Sequence, residues 1–336
     1  MGLYLENGYL NIEYILNKGF PFSFVVGGRA VGKSFGSLKF AVENDVRFLY
    51  LRRTQSQADL INKPEFSPFK SLNRDLGIDI GTQTISKYNA AFIDHANNNK
   101  IIGYTAALST FANIRGFDAS DVELLIYDEF IPERHERPIK EEGSAFFNAY
   151  ETINRNRELN GREPLKALCL ANANDIGNPL FTELKLIRIA DKMRANHTEM
   201  YFDNERGIAV FMLDCSPISD LKEDTALYRL TKGNTFAGMA LDNTFYKEDG
   251  AKIISRPIKE YKPIVTIGEI TIYKHKAKNN WYCSTHRTGS CPTFGAGDTE
   301  RARFKKQYFR MWLRYMDNKI EFEETLCEVL FQKYFK

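Results

Sequence analysis

A phosphate-binding loop lies near the amino end of the sequence. Residues 27–34 are Gly-Gly-Arg-Ala-Val-Gly-Lys-Ser, which fits the GxxxxGK[ST] pattern of P-loop nucleotidases. Glycines let the backbone turn its N–H groups toward phosphate oxygens, and the helix that follows adds partial positive charge. In this pattern the lysine reaches the β- and γ-phosphates, and the serine holds Mg²⁺. The sequence therefore predicts an ATP site made by Gly27, Gly28, Arg29, Ala30, Val31, Gly32, Lys33 and Ser34.

An acidic motif follows later in the chain. Residues 124–129 are Leu-Leu-Ile-Tyr-Asp-Glu, an apolar strand that would deliver Asp128 to the carboxyl edge of a sheet, where ligands of open α/β sheets bind. We expect Asp128 to hold Mg²⁺ together with Ser34. Glu129 is predicted to activate the attacking water as general base. An acid directly after the motif aspartate favours ATP hydrolysis over binding alone.

Several polar residues are candidates for sensing or stabilising the phosphates. Asn172 ends the apolar run 166–171 and is predicted to sense the γ-phosphate, with loop capping as the alternative. Arg29 is predicted to meet the γ-phosphate or a neighbouring acid, or to be exposed. A further cation would stabilise the transition state of phosphoryl transfer. The residues alone do not choose among Arg115, Arg155 and Arg157 for this role.

The motifs lie in a chain whose apolar runs alternate with helix-like segments as far as residue 215. Short apolar runs of this kind are typical of buried parallel strands in an α/β domain. The predicted strands are 22–26, 47–51, 122–127, 166–171 and 210–214, with an inserted hairpin at 90–94 and 100–104. A helix over 33–43 completes the strand–loop–helix context that the phosphate-binding loop requires.

The remainder divides into a linker and a basic region. Residues 216–246 are predicted to form a linker subdomain with a helix over 218–232, and 1–215 to form the ATPase domain. Residues 247–336 show strand-like runs at 264–273 and 281–284 and helices at 299–316 and 321–334.

The region 247–336 has 18 lysines and arginines against 11 acids, a net charge of +7, whereas the net charge of residues 1–246 is −4. The asymmetry favours a polyanionic partner, with a solvated charged surface as the alternative.

Composition excludes some classes of protein. The chain has 336 residues and no apolar run long enough to predict a membrane span. Its five cysteines are odd in number and scattered, which is typical of a reduced, cytosolic protein. Cys283, His286 and Cys291 lack a fourth partner at the spacing of a zinc site.

Six segments resemble the DNA-packaging motor ATPases of small podoviruses with protein-primed linear genomes. The segments are 24–34, 48–53, 126–131, 152–158, 169–173 and 238–245, and the resemblance covers about residues 20–245. It implies a P-loop fold of the additional-strand, catalytic-glutamate class, followed by a vestigial RNase-H-like domain over 247–336. It also implies that Arg155 acts as an arginine finger on the neighbouring subunit, and that Arg115 acts across the same interface.

The function that the resemblance implies is ATP-driven packaging of double-stranded DNA. Such a motor is a homopentameric ring at the portal protein of an empty capsid, in the host cytoplasm, and the sequence leaves open whether a structural RNA scaffolds the ring.

Residues 250–298 offer only Glu260, Glu269 and Asp298 as scattered carboxylates, whereas a two-metal nuclease needs them clustered. The alternatives are a full terminase with active nuclease and a nucleotide-gated DNA-binding protein.

Two basic groups near the carboxyl end are candidates for contact with DNA phosphates. Lys274, Lys276 and Lys278 are predicted to share one face of a strand. The other group lies on one predicted helix and comprises Arg301, Arg303, Lys305, Lys306 and Arg310.

Overall fold

The computed structural model describes residues 2–114, 116–133, 136–137, 139–213, 216–222, 224–234 and 253–335. The chain forms two compact units, one from residues 1–184 and 192–246 and the other from residues 185–191 and 247–336. The linker predicted over 216–246 falls within the first unit, and its residues beyond 234 lie outside the described part, so its boundaries stay a prediction. Among the described residues, no helix is long and apolar enough to cross a membrane.

The first unit is built on a nine-stranded sheet. Its strands are β1 (Phe22–Gly27), β2 (Phe48–Arg52), β3 (Ile80–Ser86), β4 (Asn89–Asp94), β5 (Lys100–Ala107), β6 (Leu124–Asp128), β7 (Lys166–Asn172), β8 (Met200–Asp203) and β9 (Ile208–Met212). Their order across the sheet is β3-β4-β5-β2-β6-β7-β1-β9-β8. Strands β5, β2, β6, β7, β1 and β9 run parallel, and antiparallel pairs close both edges. Burial on both faces explains why the parallel strands are continuous apolar runs.

The strand order confirms the predicted class of P-loop fold. Strand β7 lies between β1, which leads into the phosphate-binding loop, and β6, which ends in Asp128. It is therefore the additional strand that separates the two motif strands. Gly27 pairs with Asn172, and Asp128 pairs with Leu170. Because the strands are parallel, their carboxyl ends meet at one edge of the sheet.

The predicted hairpin is present, but it is not separate from the main sheet. Strands β4 and β5 pair antiparallel, and β5 then pairs parallel with β2, so the hairpin extends the central sheet. Strand β3, which no apolar run predicted, adds to its outer edge. Only three of its residues are even partly buried, and an exposed edge strand carries little apolar signal.

The α-helices as far as residue 230 lie before, between and after these strands in the chain. They are α1 (Ile12–Leu16), α2 (Lys33–Glu43), α3 (Gln55–Ile61), α4 (Lys70–Leu76), α5 (Glu142–Asn154), α6 (Pro179–Glu183), α7 (Ile187–Ala195), α8 (Pro217–Lys222) and α9 (Ala226–Leu230). The single helix predicted over 218–232 is thus wrong, since α8 and α9 divide it. The Thr225 hydroxyl donates to the Lys222 carbonyl at 2.9 Å, a local bond of the kind that competes with a continuous helix.

The second unit is an α+β domain, as predicted. It contains β10 (Tyr261–Ile267), β11 (Ile270–His275), β12 (Trp281–Ser284), β13 (Thr293–Phe294), β14 (Ile320–Phe322), α10 (Asp298–Met316) and α11 (Thr325–Phe335). The sheet order is β13-β10-β11-β12-β14, and its core includes Val265, Ile272, Phe304 and Phe331. The run 264–273 is two strands that turn at Gly268, where φ is +52°. The last helix begins at Thr325, because Ile320–Phe322 instead pairs with β12.

Candidate nucleotide-hydrolysis site

The phosphate-binding loop joins β1 to α2. Ala30 and Gly32 take left-handed backbone angles, with φ of 56° and 90°, and such residues in a turn form anion-binding concavities. A Cβ at Gly32 would lie 3.1 Å from the Tyr9 ring, so both the backbone and the space favour glycine there. The loop borders a cavity of about 320 Å³ that Asp128, Glu129 and Asn172 also line. The structure thus gathers the predicted site residues 29–34, 128, 129 and 172 around one cavity.

Lys33 begins α2 and lies almost completely buried beneath the loop. Its ammonium group donates to the carbonyl oxygens of Gly27 at 3.0 Å and Gly28 at 2.6 Å, and to Asn172 Oδ1 at 3.2 Å. Burial lowers the pKa of Lys33 to about 7, although the Asp128 carboxylate opposes that shift. A polyanion in this cavity would favour the charged lysine, so the site is electrostatically suited to phosphate.

Ser34 and Asp128 form a pair of oxygen ligands at the edge of the cavity. The Ser34 hydroxyl donates to Asp128 Oδ1 at 2.9 Å. On the other carboxylate oxygen, Asp128 accepts from the Tyr50 hydroxyl and from Arg52 Nη1. Burial raises the pKa of Tyr50 well above its usual value, so this hydroxyl stays protonated and donates. A hydroxyl and a carboxylate oriented together fit Mg²⁺, which prefers oxygen ligands.

Glu129 follows β6 directly and is held by Arg52, at the end of β2. Its backbone is left-handed, with φ of 59°, and its carboxylate forms an ion pair with Arg52 Nη2. Burial raises the pKa of Glu129, and the Arg52 guanidinium opposes this effect. Arg52 also bonds Asp128 at 2.9 Å, so a single guanidinium bridges the predicted metal ligand and the predicted base.

For Asn172 and Arg29 the sequence left alternative roles open, and their contacts in the structure bear on those roles. Asn172 accepts from Lys33 in the cavity, a position suited to phosphate sensing. Arg29 pairs with Glu133 at 2.8 Å, and both side chains are partly exposed. The structure therefore shows both the pairing with a neighbouring acid and the exposed position that were predicted for Arg29, and its contact with the γ-phosphate stays a prediction.

A buried ion-pair network positions the helix that leads to Arg155. The Arg53 side chain is completely buried and binds Glu142, the first residue of α5, through Nε at 2.7 Å and Nη2 at 2.9 Å. Its Nη1 bonds Glu136 at 2.5 Å. The Tyr127 hydroxyl donates to Glu142 at 3.1 Å. The network joins the ends of β2 and β6 to the start of α5.

Removing the buried guanidinium is expected to destabilise the first unit. Arg53→Met leaves the Glu142 carboxylate buried without its charged partner, which costs about 3–5 kcal/mol in comparable cases. Urea unfolding followed by far-ultraviolet circular dichroism measures the loss. Arg74→Met, at an exposed arginine paired with Asp75, is the control and should leave the midpoint unchanged. Equal midpoints for the two variants would contradict a stabilising role for the network.

Arg155 lies at the opposite edge of the sheet from the cavity. It follows the last residue of α5, and its guanidinium donates to the Phe117 carbonyl at 3.3 Å and lies 3.8 Å from Asp118. Helix α5 starts beside Arg53 and has 13 residues, so its ends are about 20 Å apart. Half of the Arg155 side chain is exposed. Arg155 is therefore remote from its own loop and accessible to another molecule.

The two other candidate arginines have different outcomes. Arg157 is buried and donates to the carbonyl oxygens of Ser120, at 3.1 Å, and Val122. These bonds indicate a structural role, in which Arg157 anchors the segment before β6. Arg115 lies outside the described residues.

The basic groups of the second unit are only partly as predicted. Strand β11 ends at His275, so Lys276 and Lys278 do not share a strand face with Lys274. Instead, the Lys276 ammonium donates to the Lys259 carbonyl at 2.7 Å. The second group does lie on one helix, α10, but Arg301 bonds the Lys333 carbonyl on α11 at 2.7 Å.

Sequence reasoning missed three residues of the site. Tyr50 and Arg52 reach Asp128 because β2 lies beside β6, and the order of strands is not written in any local motif. Lys222, on α8, donates to the carbonyl oxygens of Arg29 and Ala30, far away in sequence. The only available signal was the pair Arg52-Arg53 at the end of an apolar run.

Comparison with known proteins agrees with this architecture. The DNA packaging protein of Bacillus phage B103 is 25% identical over 350 residues, covering 97% of this chain and 98% of that protein. The DNA packaging protein of Bacillus phage phi29 is 27% identical over 264 residues, covering 77% and 70%.

Two solved structures share the fold over nearly the whole chain. The Phi-28 gp11 DNA packaging motor has a TM-score of 0.66 at 20% identity and covers 98% of both chains. The bacteriophage Phi-29 genome packaging motor assembly has a TM-score of 0.64 at 16% identity. Residues 6–285 match the family described as Podovirus DNA encapsidation protein (Gp16). That match spans most of the chain, which therefore belongs to the podovirus DNA encapsidation protein (Gp16) family.

Proposed function

We propose that this chain is an ATP hydrolase that drives double-stranded DNA into a preformed capsid. The observation that carries the proposal is the convergence of Lys33, Ser34, Asp128 and Glu129 around one cavity, in a member of a DNA encapsidation family. The cavity provides backbone turns and an ammonium group for phosphates, oxygen ligands for a metal, and a carboxylate for water. These are the parts that ATP hydrolysis requires.

Each group has a distinct chemical task. The loop over 27–32 binds the phosphates, and Lys33 balances their charge. Ser34 and Asp128 would hold Mg²⁺, which neutralises charge on the phosphate oxygens. Glu129 orients a water and takes its proton as the water attacks the γ-phosphorus. Asn172, bonded to Lys33, reports whether the γ-phosphate is present.

The proposed working form is a homopentameric ring at the portal protein, in the host cytoplasm. Arg155 lies too far from its own loop to act there, so we assign it to the site of the neighbouring subunit. Arg115 is proposed to act across the same interface.

Basic residues of α10 would contact DNA phosphates without recognising particular bases, as suits a motor that must move DNA of any sequence. A structural RNA as scaffold is a further proposed partner.

The direct test is ATP turnover by the full chain with and without double-stranded DNA. We expect DNA to raise turnover and Lys33→Ala to reduce it to background, because the buried ammonium group is lost from the phosphate site. Lys39→Ala, at a half-exposed lysine of the same helix, should retain wild-type turnover. An ATP turnover that is the same with and without DNA would favour the alternative of a nucleotide-gated binding protein. Equal activity in both variants would contradict the proposed ATP site.

A nuclease is the less favoured alternative. Among the residues that the structure describes, the one group of three potential metal ligands is Glu323, Glu324 and Cys327. Its two carboxylates already bond Ser284 and Arg188. Nicking of plasmid DNA with Mg²⁺ or Mn²⁺ tests this alternative. Activity that disappears on substitution of Glu260, Glu269 or Asp298 would favour a full terminase.

A further inference from the structure

Hydrogen-bond donors bind the carbonyl oxygens of the phosphate-binding loop from Gly27 to Val31. The Lys33 ammonium accounts for the carbonyl oxygens of Gly27 and Gly28. Those of Arg29 and Ala30 accept from the Lys222 ammonium at 2.8 and 3.0 Å. The Val31 carbonyl accepts from the Leu10 amide at 3.0 Å. Five successive carbonyl groups are therefore hydrogen-bonded, two by Lys33 at the end of the loop and three by donors from elsewhere in the chain.

Holding these carbonyl groups shapes the phosphate site. The carbonyl oxygen of one residue and the N–H of the next belong to the same rigid peptide unit and point in opposite directions. A donor on the Arg29 and Ala30 oxygens therefore directs the N–H groups of Ala30 and Val31 the other way. A phosphate on those N–H groups and an ammonium on those oxygens would polarise the same two peptide units. Hydrogen bonds in such a chain strengthen one another.

The position of Lys222 connects the loop to the segment that follows the central sheet. Lys222 is the last residue of α8, and the first turn of that helix is anchored separately. The Ser216 hydroxyl donates to the Gly8 carbonyl at 3.1 Å. Gly8 itself lies so close that a Cβ there would be 2.9 Å from the Ile218 nitrogen. Helix α8 is thus fixed at its start and bound to the loop at its end.

The positive charges at the loop also favour a bound polyphosphate. Burial lowers the pKa of Lys222, and its ammonium binds the same loop whose Gly27 and Gly28 oxygens accept from the Lys33 ammonium. Two lysines therefore crowd one loop at some electrostatic cost. A bound polyphosphate would relieve this cost for both.

We propose that Lys222 is a positioning residue of the phosphate site, which shapes the loop for ATP and links nucleotide occupancy to residues 217–234. The inference rests on the proposed function, because it requires that the loop bind ATP. The link is reciprocal: if Lys222 strengthens ATP binding, ATP must strengthen the attachment of α8 by the same free energy.

The test compares Lys222→Met with the wild type in the full chain. Methionine retains most of the apolar stem but removes the ammonium group. Calorimetric titration with a non-hydrolysable ATP analogue and Mg²⁺ should show affinity about tenfold weaker, because the loop loses both charge-assisted hydrogen bonds that the ammonium donates to the Arg29 and Ala30 carbonyl oxygens. Lys222→Arg should recover most of the affinity. Lys232→Met, at an exposed lysine of the same segment, is the matched control and should bind as the wild type does.

Hydrogen exchange provides the readout that a purely structural role would not change. In the wild type, the ATP analogue should slow amide exchange in residues 217–234. In Lys222→Met, exchange in this segment should be the same with and without the analogue. Unchanged affinity together with a wild-type exchange response would overturn the inference.

Failure of the inference is distinguishable from failure of the proposed function. If the wild type binds the analogue, Lys33→Ala does not, and Lys222→Met matches the wild type, only the role of Lys222 is wrong. If the wild type and Lys33→Ala bind the analogue equally, the proposed ATP site is wrong, and the inference falls with it.

Discussion

Glu129→Gln is expected to bind ATP with near wild-type affinity and to hydrolyse it about 10²–10⁴-fold more slowly. Glutamine has the shape of glutamate but cannot accept a proton from water. The carboxylate lies at the cavity beside Asp128, and burial raises its pKa while Arg52 opposes the shift. The raised pKa makes this carboxylate a stronger base toward water than an ordinary glutamate. Single-turnover hydrolysis, measured beside equilibrium ATP binding, separates the chemical step from affinity.

A matched amide substitution controls for the loss of negative charge. Glu65→Gln changes an exposed carboxylate that does not line the cavity, and it should leave both binding and hydrolysis unchanged. If Glu129→Gln hydrolyses ATP within a few-fold of the wild type, another group activates the water. If it fails to bind ATP, Glu129 serves the binding of nucleotide or metal instead.

The sequence predicts those parts of the site that are formed by residues adjacent to one another in the chain. The loop over 27–34 lies between a strand and a helix that are contiguous with it, so eight residues carry most of the local geometry. Asp128 and Glu129 likewise follow their own strand directly. Parallel strands then bring the two motifs to one edge, as general rules for α/β sheets require.

The contacts that sequence could not predict depend on the order of strands and on short turns. Arg52 meets Glu129 only because β2 lies beside β6, whereas many strand orders suit the same apolar runs. Only two residues, Gly268 and Glu269, separate β10 from β11. Periodicity over 264–273 therefore could not separate one long strand from a hairpin.

Arg155→Ala is expected to lower ATP turnover of the assembled ring by about 10³–10⁵-fold while each subunit still binds ATP. The guanidinium follows the end of α5 that lies away from Arg53, contacts the segment before β6 and is half exposed, so its effect should appear only when subunits assemble. Sedimentation of each variant confirms equal assembly. Arg162→Ala is the matched control, since Arg162 also donates to a carbonyl of the segment before β6, that of Ser120 at 2.9 Å. That variant should retain turnover.

Mixing the two inactive variants decides whether Arg155 acts on its own subunit or on the next. In a head-to-tail ring assembled from equal amounts of Glu129→Gln and Arg155→Ala subunits, roughly one interface in four combines an intact base with an intact arginine. Turnover should therefore return in the mixture although each variant alone is inactive. If Arg155 acted within its own subunit, no subunit in the mixture would hold both groups, and turnover would stay at background. Recovery thus requires that Arg155 complete the site of its neighbour, because no other pairing in the mixture supplies both groups.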